Sequence, residues 1–134
     1  MSVKKIDHIG IVVRDMEAAL EVYRDALGLE LAETEFVPEQ KVNIAFLPTG
    51  ESEIELVQPT TDDSGIARYL AKRGEGVHHV CLEVDDIEAT LAQMAAQGME
   101  LIDKTPRAGS GGKKYAFVHP KSAHGVLIEL YERP

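Results

Sequence analysis

The chain opens with a pattern of apolar and polar positions that predicts a strand followed by a helix. Residues 5–13 alternate in a run rich in β-branched side chains, as a half-buried strand does. Asp15 then stands where a helix N-cap belongs, and Gly28 stands where a left-handed C-terminal residue belongs. Between them lies an apolar stripe at helical spacing, formed by Met16, Leu20, Tyr23 and Leu27.

The same pattern returns later in the chain, so the sequence contains an internal repeat. Residues 6–20, IDHIGIVVRDMEAAL, lie over residues 77–91, VHHVCLEVDDIEATL, at a shift of 71 positions. Asp85 or Asp86 caps the second helix, and Gly98 ends it. Its predicted stripe consists of Ile87, Leu91 and Met94. Near the end of each copy, Ile-Glu-Leu at 54–56 matches Ile-Glu-Leu at 128–130. Each copy therefore predicts a βαβββ module.

Two such modules and a linker helix predict one domain of the α+β class. We expect module one at 1–60, the linker at 61–75 and module two at 76–134, within a single domain at 1–134. Ser64 caps the linker helix, which ends at Gly74. Strands are expected around 41–48, 52–58, 114–119 and 125–131, with Pro48-Thr49-Gly50 and Pro120-Lys121 as turns. The predicted architecture is a cup-shaped mixed sheet with the helices on its outer face.

Four polar residues stand at strand positions that should be apolar. Glu55 lies between Ile54 and Leu56, and Glu129 has the same neighbours in module two. In both strands the period of two sends Ile and Leu to one face and the glutamate to the other. His8 and His79 repeat in the first strand of each module. A single histidine or glutamate in a strand is more often a solvated or hydrogen-bonded side chain, but this matched repetition favours a common site.

Two imidazoles and two carboxylates form a good site for one divalent ion, because the ion offsets the desolvation of both charges. The sequence therefore predicts a metal site made by His8, Glu55, His79 and Glu129. Candidate ions are Co, Zn, Mn, Ni and Mg. An open coordination sphere would leave positions for substrate, as catalysis requires.

Charge and composition exclude some partners. The net charge of -9 disfavours nucleic acid, which requires clustered basic residues. No apolar run approaches the about 20 residues of a membrane helix, and no signal peptide is recognisable. A single cysteine, Cys81, fits a reducing compartment, so we expect a cytoplasmic protein. Residues 104–128 carry five basic side chains and no acidic one, which suits a small polyanion or a solvated loop.

Three strings carry a resemblance to a known family over essentially the whole chain. They are DHIGIVV near the start, ELVQPTTDDSGIARYLAKRGEGVHHVCLEVDDIEA in the middle, and GSGGKKYAFVHPKSAHGVLIEL near the end. The chain resembles the methylmalonyl-CoA epimerase family of the vicinal oxygen chelate superfamily, whose paired βαβββ modules surround a metal. The family's metal ligands carry over to the same four positions, His8, Glu55, His79 and Glu129.

The resemblance implies a mechanism as well as a fold. It implies interconversion of (R)- and (S)-methylmalonyl-CoA by removal and return of a proton through a metal-stabilised enolate, with Glu129 as one acid/base. Some relatives carry a second proposed base, a glutamate, where this chain has Asn43, so the two-base assignment does not carry over. Asn43 could still orient substrate. Substrate contacts are further expected from Lys113, Lys114 and Lys121, which could bind CoA phosphates, and a homodimer is expected.

Other functions on this pattern stay open. A glyoxalase-like isomerase or lyase acting on a glutathione or other thiol adduct would use a similar ligand set and similar chemistry. An extradiol dioxygenase needs only two histidines and one carboxylate, so Glu55 argues against it. A metal-free module that binds a small molecule such as an antibiotic would not need four matched ligands.

Overall fold

Each predicted βαβββ module is present, in the order strand, helix and three strands. The structure is a computed structural model that describes residues 2–134 apart from the side chain of Ser110. The first module consists of β1 (Val3–Val12), α1 (Met16–Leu20) with a π-helical continuation (Glu21–Ala26), β2 (Glu33–Val37), β3 (Val42–Thr49) and β4 (Ser52–Pro59). The linker forms α2 (Gly65–Arg73). The second module consists of β5 (Gly76–Val84), α3 (Ile87–Ala96), β6 (Arg107–Ala108), β7 (Lys114–Val118) and β8 (Ile128–Glu132), with 3-10 turns at Ser110–Gly112 and Pro120–Ala123.

The helix boundaries lie where the capping residues predicted them. The carboxylate of Asp15 accepts from the Ala18 amide at 3.3 Å, and the hydroxyl of Ser64 accepts from the Ala67 amide at 3.0 Å. In the second module Asp86, not Asp85, is the N-cap of α3. Each cap binds a backbone N–H that has no partner within its own helix.

One part of the predicted first helix stripe is wrong. Leu20 is buried and Tyr23 packs against the same core, but Leu27 is 64% exposed. The reason is the π-helical turn, in which the Leu27 amide donates to the Val22 carbonyl, five residues earlier. A π turn rotates each residue less than an α turn does, so Leu27 leaves the apolar face.

The chain divides into two compact units whose boundaries fall inside β1 and β5. The first unit is Ile9–His78, and the second joins the residues up to His8 to His79–Pro134. In the first unit the strands hydrogen-bond in the order β2-β3-β4-β1. In the second unit the order is β1-β5-β8-β7-β6, with β5 parallel to β8 and β8 antiparallel to β7.

Each unit has its own apolar core between strands and helix. In the second unit Leu130 and Ile128 of β8 pack with Ile87 and Leu91 of α3. The first unit repeats this arrangement with Leu56 and Ile54 of β4 against Leu20 of α1. Burial of each core side chain contributes about 1.5–3 kcal/mol. The Ile/Leu face of each last strand is thus covered by a helix, as predicted, so Glu55 and Glu129 point to the opposite face of their strands.

The predicted fold class is confirmed: the strands form one mixed eight-stranded sheet, and a helix packs against the strands of each unit. The division into modules and linker stays a prediction. Within residues 2–134 we find no helix with the length and apolar character needed to cross a bilayer.

Candidate metal centre

Three of the four predicted ligands meet in the second unit. The Nε2 atoms of His8 and His79 are 3.0 Å apart. The Oε1 atom of Glu129 lies 3.2 Å from the first of these nitrogens and 3.3 Å from the second. The three atoms form a nearly equilateral triangle, and all three residues are buried.

Strand order explains why these side chains converge. His8 ends the part of β1 that belongs to this unit, His79 lies on the adjacent β5, and Glu129 lies on β8, the next strand. In the parallel pairing of β5 with β8, Glu129 is opposite Cys81, two residues from His79, so the period of two sends His79 and Glu129 to the same face. The ring of Phe117, which pairs with Glu129 on β7, lies edge-on to His79 at 6.2 Å.

The triangle fits a metal ion. Zinc ligands of these types lie about 2.0–2.2 Å from the ion, so atoms that share one ion must be about 3 Å apart, which is the spacing observed here. Two imidazole nitrogens and a carboxylate oxygen are ligands that Zn, Co, Mn and Ni all accept. The residues present therefore fit a divalent ion.

The electrostatics of the triangle favour an ionised carboxylate. Burial by itself would raise the pKa of Glu129, but the adjoining imidazoles of His79 and His8 lower the pKa to about 2. At neutral pH Glu129 therefore carries a negative charge, which is the state that both binds a cation and accepts a proton.

A second group of ligand-type side chains shares His8 but suits a metal less well. It consists of Asp7, His8 and Cys81. Burial raises the pKa of the Cys81 thiol to about 12, so forming the thiolate that metals bind is unfavourable at this position. The Asp7 carboxylate is already bound by the guanidinium of Arg133, 2.6 Å away. Of the two groups, the triangle with His79 and Glu129 therefore fits a divalent ion better.

The other two polar positions of the first module lie in the first unit. Glu55 is buried on β4, on the face away from α1, and its place as fourth ligand stays a prediction. Asn43 pairs with Gln58, whose side chain accepts from the Met16 amide at the start of α1. Glu55 pairs with Phe46 instead. Paired residues share a face of the sheet, so the register does not bring Asn43 to the face of Glu55.

The three predicted lysine contacts have different surroundings. The ammonium of Lys113 lies 5.3 Å from the ring centre of Tyr131, and that ring lies 6.3 Å from His8. Lys114 points to the α3 side, 2.8 Å from Glu88. Lys121 is exposed in the turn that follows β7. Lys113 is thus the lysine whose contacts lead to His8, through the ring of Tyr131. A substrate contact by any of the three lysines stays a prediction.

A comparison with known proteins identifies the family. Residues 7–117 match the Glyoxalase/Bleomycin resistance protein/Dioxygenase superfamily. The chain belongs to this superfamily. The resemblance deduced from the three sequence strings is thereby confirmed.

Members of the superfamily that resemble this chain include epimerases of acyl-CoA esters. The ethylmalonyl-CoA/methylmalonyl-CoA epimerase of Cereibacter sphaeroides is 36% identical over 128 residues, covering 94% of this chain and 96% of that protein. Among solved structures, a point variant of the Streptomyces coelicolor methylmalonyl-CoA epimerase in complex with 2-nitronate-propionyl-CoA is 40% identical with a TM-score of 0.88, covering 98% of this chain and 96% of that one. A methylmalonyl-CoA epimerase in complex with methylmalonyl-CoA and NH4+ has the same identity, TM-score and coverage.

Residues beside the triangle were not predicted from the sequence. Asp7 lies 2.8 Å from the second ring nitrogen of His8, and Arg133 binds Asp7 from the end of the chain. A signal for Asp7 exists in the sequence, because it is a charged residue between Ile6 and His8 in a strand. The repeat hides it, since position 78 of the second copy is a histidine.

Proposed function

We propose that this chain is a metal-dependent epimerase that interconverts (R)- and (S)-methylmalonyl-CoA. The observation that carries the proposal is the triangle of His8, His79 and Glu129, with ligand atoms 3.0–3.3 Å apart, in a chain 36–40% identical to epimerases of this substrate class. We include Glu55 as the fourth ligand. A homodimer in the cytoplasm is part of the proposal.

The chain's own side chains supply two parts of the chemistry. A divalent ion, when bound, would polarise the thioester carbonyl and bind the carboxylate of the substrate. His8 and His79 would hold the ion through their Nε2 atoms, and the negative charge of the site would come from the carboxylates. Ionised Glu129 lies on the same face and can accept the proton from the carbon between thioester and carboxylate.

Inversion also needs a proton donor on the opposite side of that carbon. Asn43 cannot act as one, because a carboxamide does not titrate at ordinary pH and because the register places Asn43 on the α1 side of its sheet. The donor is therefore another group. Lys113 suits a different task, since its cation borders the ring of Tyr131 beside His8 and can bind an anionic part of the substrate.

The test is proton exchange at C2 of methylmalonyl-CoA in deuterated water. We expect exchange and epimerisation with metal-loaded protein, and a large loss of both after chelation that is reversed by added metal. Glu129→Gln should reduce exchange by a factor of about 100 or more, since it removes both a ligand and a base. The matched control is Glu132→Gln, on the same strand but in contact with the start of α3, which should keep its activity.

Three results would contradict the proposal. The first is that metal-loaded protein catalyses no exchange at C2 but acts on the methylglyoxal–glutathione adduct. The protein would then be a lyase of the glyoxalase type. The second is full exchange by the chelated protein. The third is equal activity of the Glu129→Gln and Glu132→Gln variants.

A further inference from the structure

A chain of buried and half-buried charges connects the C-terminal end of the protein to the metal centre. Asp7 is the middle member. Its Oδ2 atom lies 2.8 Å from Nδ1 of His8, and its Oδ1 atom accepts from Nη2 of Arg133 at 2.6 Å. Asp7 is only 4% exposed, so both of its oxygens are used inside the protein.

Arg133 is itself held in place from two further directions. Its Nε atom donates to Glu83 at 3.1 Å, so the guanidinium binds two carboxylates at once. Its charged end also lies over the ring of Tyr131, 5.4 Å from the ring centre. Because a guanidinium presents its donors in a fixed plane, these contacts fix the orientation of the Asp7 carboxylate.

The contact between Asp7 and His8 has a chemical consequence. A carboxylate only accepts hydrogen bonds, so the proton in the 2.8 Å contact must sit on Nδ1 of His8. A neutral ring then has its lone pair on Nε2, and Nε2 is the atom in the triangle with His79 and Glu129. A histidine with the opposite tautomer would present an N–H to the ion and could not bind it.

We propose that Asp7, oriented by Arg133, is a positioning residue that holds His8 in its metal-binding tautomer. Asp7 does not touch the ion or the substrate in this role; it acts through His8. The inference rests on the metal site proposed above, and its experiment is chosen so that the two can fail separately.

The first measurement is metal affinity, by Co²⁺ titration against a chromophoric chelator. We expect Asp7→Asn to weaken Co²⁺ binding by about 10–100-fold, as the loss of such partners does elsewhere. Arg133→Gln should weaken it by a smaller factor, and Arg133→Lys should recover part of that loss. The control is Arg107→Gln, which breaks a similar pair of a buried aspartate, Asp103, and a half-exposed arginine at 2.8 Å. This variant should bind Co²⁺ as the parent does.

The second measurement is the tautomer of His8 by ¹⁵N NMR in metal-free protein near neutral pH. We expect the Nδ1–H form in the parent and in Arg107→Gln, and a mixture of forms in Asp7→Asn. An Nε2–H form in the parent would overturn the inference, and so would Co²⁺ affinity in Asp7→Asn equal to that of Arg107→Gln. If Asp7→Asn does not fold, the Arg133→Gln variant is used instead. A Co²⁺ affinity equal to that of the parent in this variant would refute the role of the Asp7–Arg133 pair. The NMR result does not depend on C2 exchange, so a failed epimerase assay leaves it interpretable.

Discussion

Binding of a divalent ion should raise the melting temperature of this protein, and Glu129→Gln should remove most of that rise. The reason is that an ion held by side chains from β1, β5 and β8 binds the folded chain, whereas the unfolded chain does not bring these three ligands together. The substitution is nearly isosteric, so the 3.2 and 3.3 Å contacts to the two histidines can persist as neutral hydrogen bonds while the anionic ligand is lost.

The size of the effect follows from binding and from chain length. At a free metal concentration of about 100 times Kd, binding stabilises the folded state by about 2.7 kcal/mol. An unfolding entropy of ~2.1 cal/mol/K per residue gives ~0.28 kcal/mol/K for 134 residues. The melting temperature should therefore rise by about 10 °C. If the variant binds ~100-fold more weakly, as loss of a metal-site partner can cause, the same metal concentration should raise it by only about 1.5 °C.

The assay is a thermal unfolding scan with and without metal, with each variant compared to its own metal-free form. Glu132→Gln is again the matched control, because replacing the carboxylate by a carboxamide weakens the bond from the Ile87 amide without touching the triangle. We expect a lower baseline but a full metal-dependent rise for this control. A full rise in Glu129→Gln, or no rise in the parent at saturating metal, would refute the reasoning.

Four further outcomes can be measured. Glu55→Ala should lower the metal content of the purified protein in elemental analysis, because it removes an oxygen ligand; a metal content equal to that of the parent would argue against Glu55 as a ligand. Cys81, fully buried with the pKa of its thiol raised to about 12, should resist iodoacetamide at pH 8 in the folded protein and react once unfolded. Leu91→Ala should lower the free energy of unfolding in urea by about 2–5 kcal/mol, since Leu91 is 2% exposed in the core of the second unit. Burial would raise the pKa of Asp7, but hydrogen bonds to His8 and Arg133 lower it from 3.8 to about 2. Ionised Asp7 therefore stabilises the fold by about 2 kcal/mol, fully above pH 3.8 and progressively less as the pH falls to 2. The free energy of unfolding in urea should thus change less between pH 5 and pH 2.5 in Asp7→Asn than in the parent.

The sequence was sufficient to predict the elements whose signals are local. Alternation gave the strands, and Asp15, Ser64 and Asp86 marked the helix starts because a side-chain oxygen there binds an amide a few residues away. The repeat then placed His8 and His79 at equivalent positions. It also matched Glu55 with Glu129, whereas the strand order that brings His8, His79 and Glu129 together was not predicted.

Features that depend on register or on distant residues were not predictable. The turn was predicted at Pro48-Thr49-Gly50, but Thr49 pairs with Ser52 and Pro48 stays in the strand. A change of one residue in a hairpin moves every side chain to the other face, so the sequence could not place Asn43 relative to Glu55. The contact of Arg133 with Asp7 joins residues 126 positions apart, and no local pattern reports such a pair.

The placement of the unit boundary limits how this protein can be divided. β1 is hydrogen-bonded to β5, and its residues up to His8 belong to the same compact unit as β5, so the second module is completed by residues from the opposite end of the chain. A fragment that begins at residue 76 would leave β5 without this neighbour and would expose its hydrogen-bonding groups as an open sheet edge, which invites aggregation. A version that begins at residue 76 therefore needs a copy of the first eight residues, either fused to its own chain or added as a separate peptide.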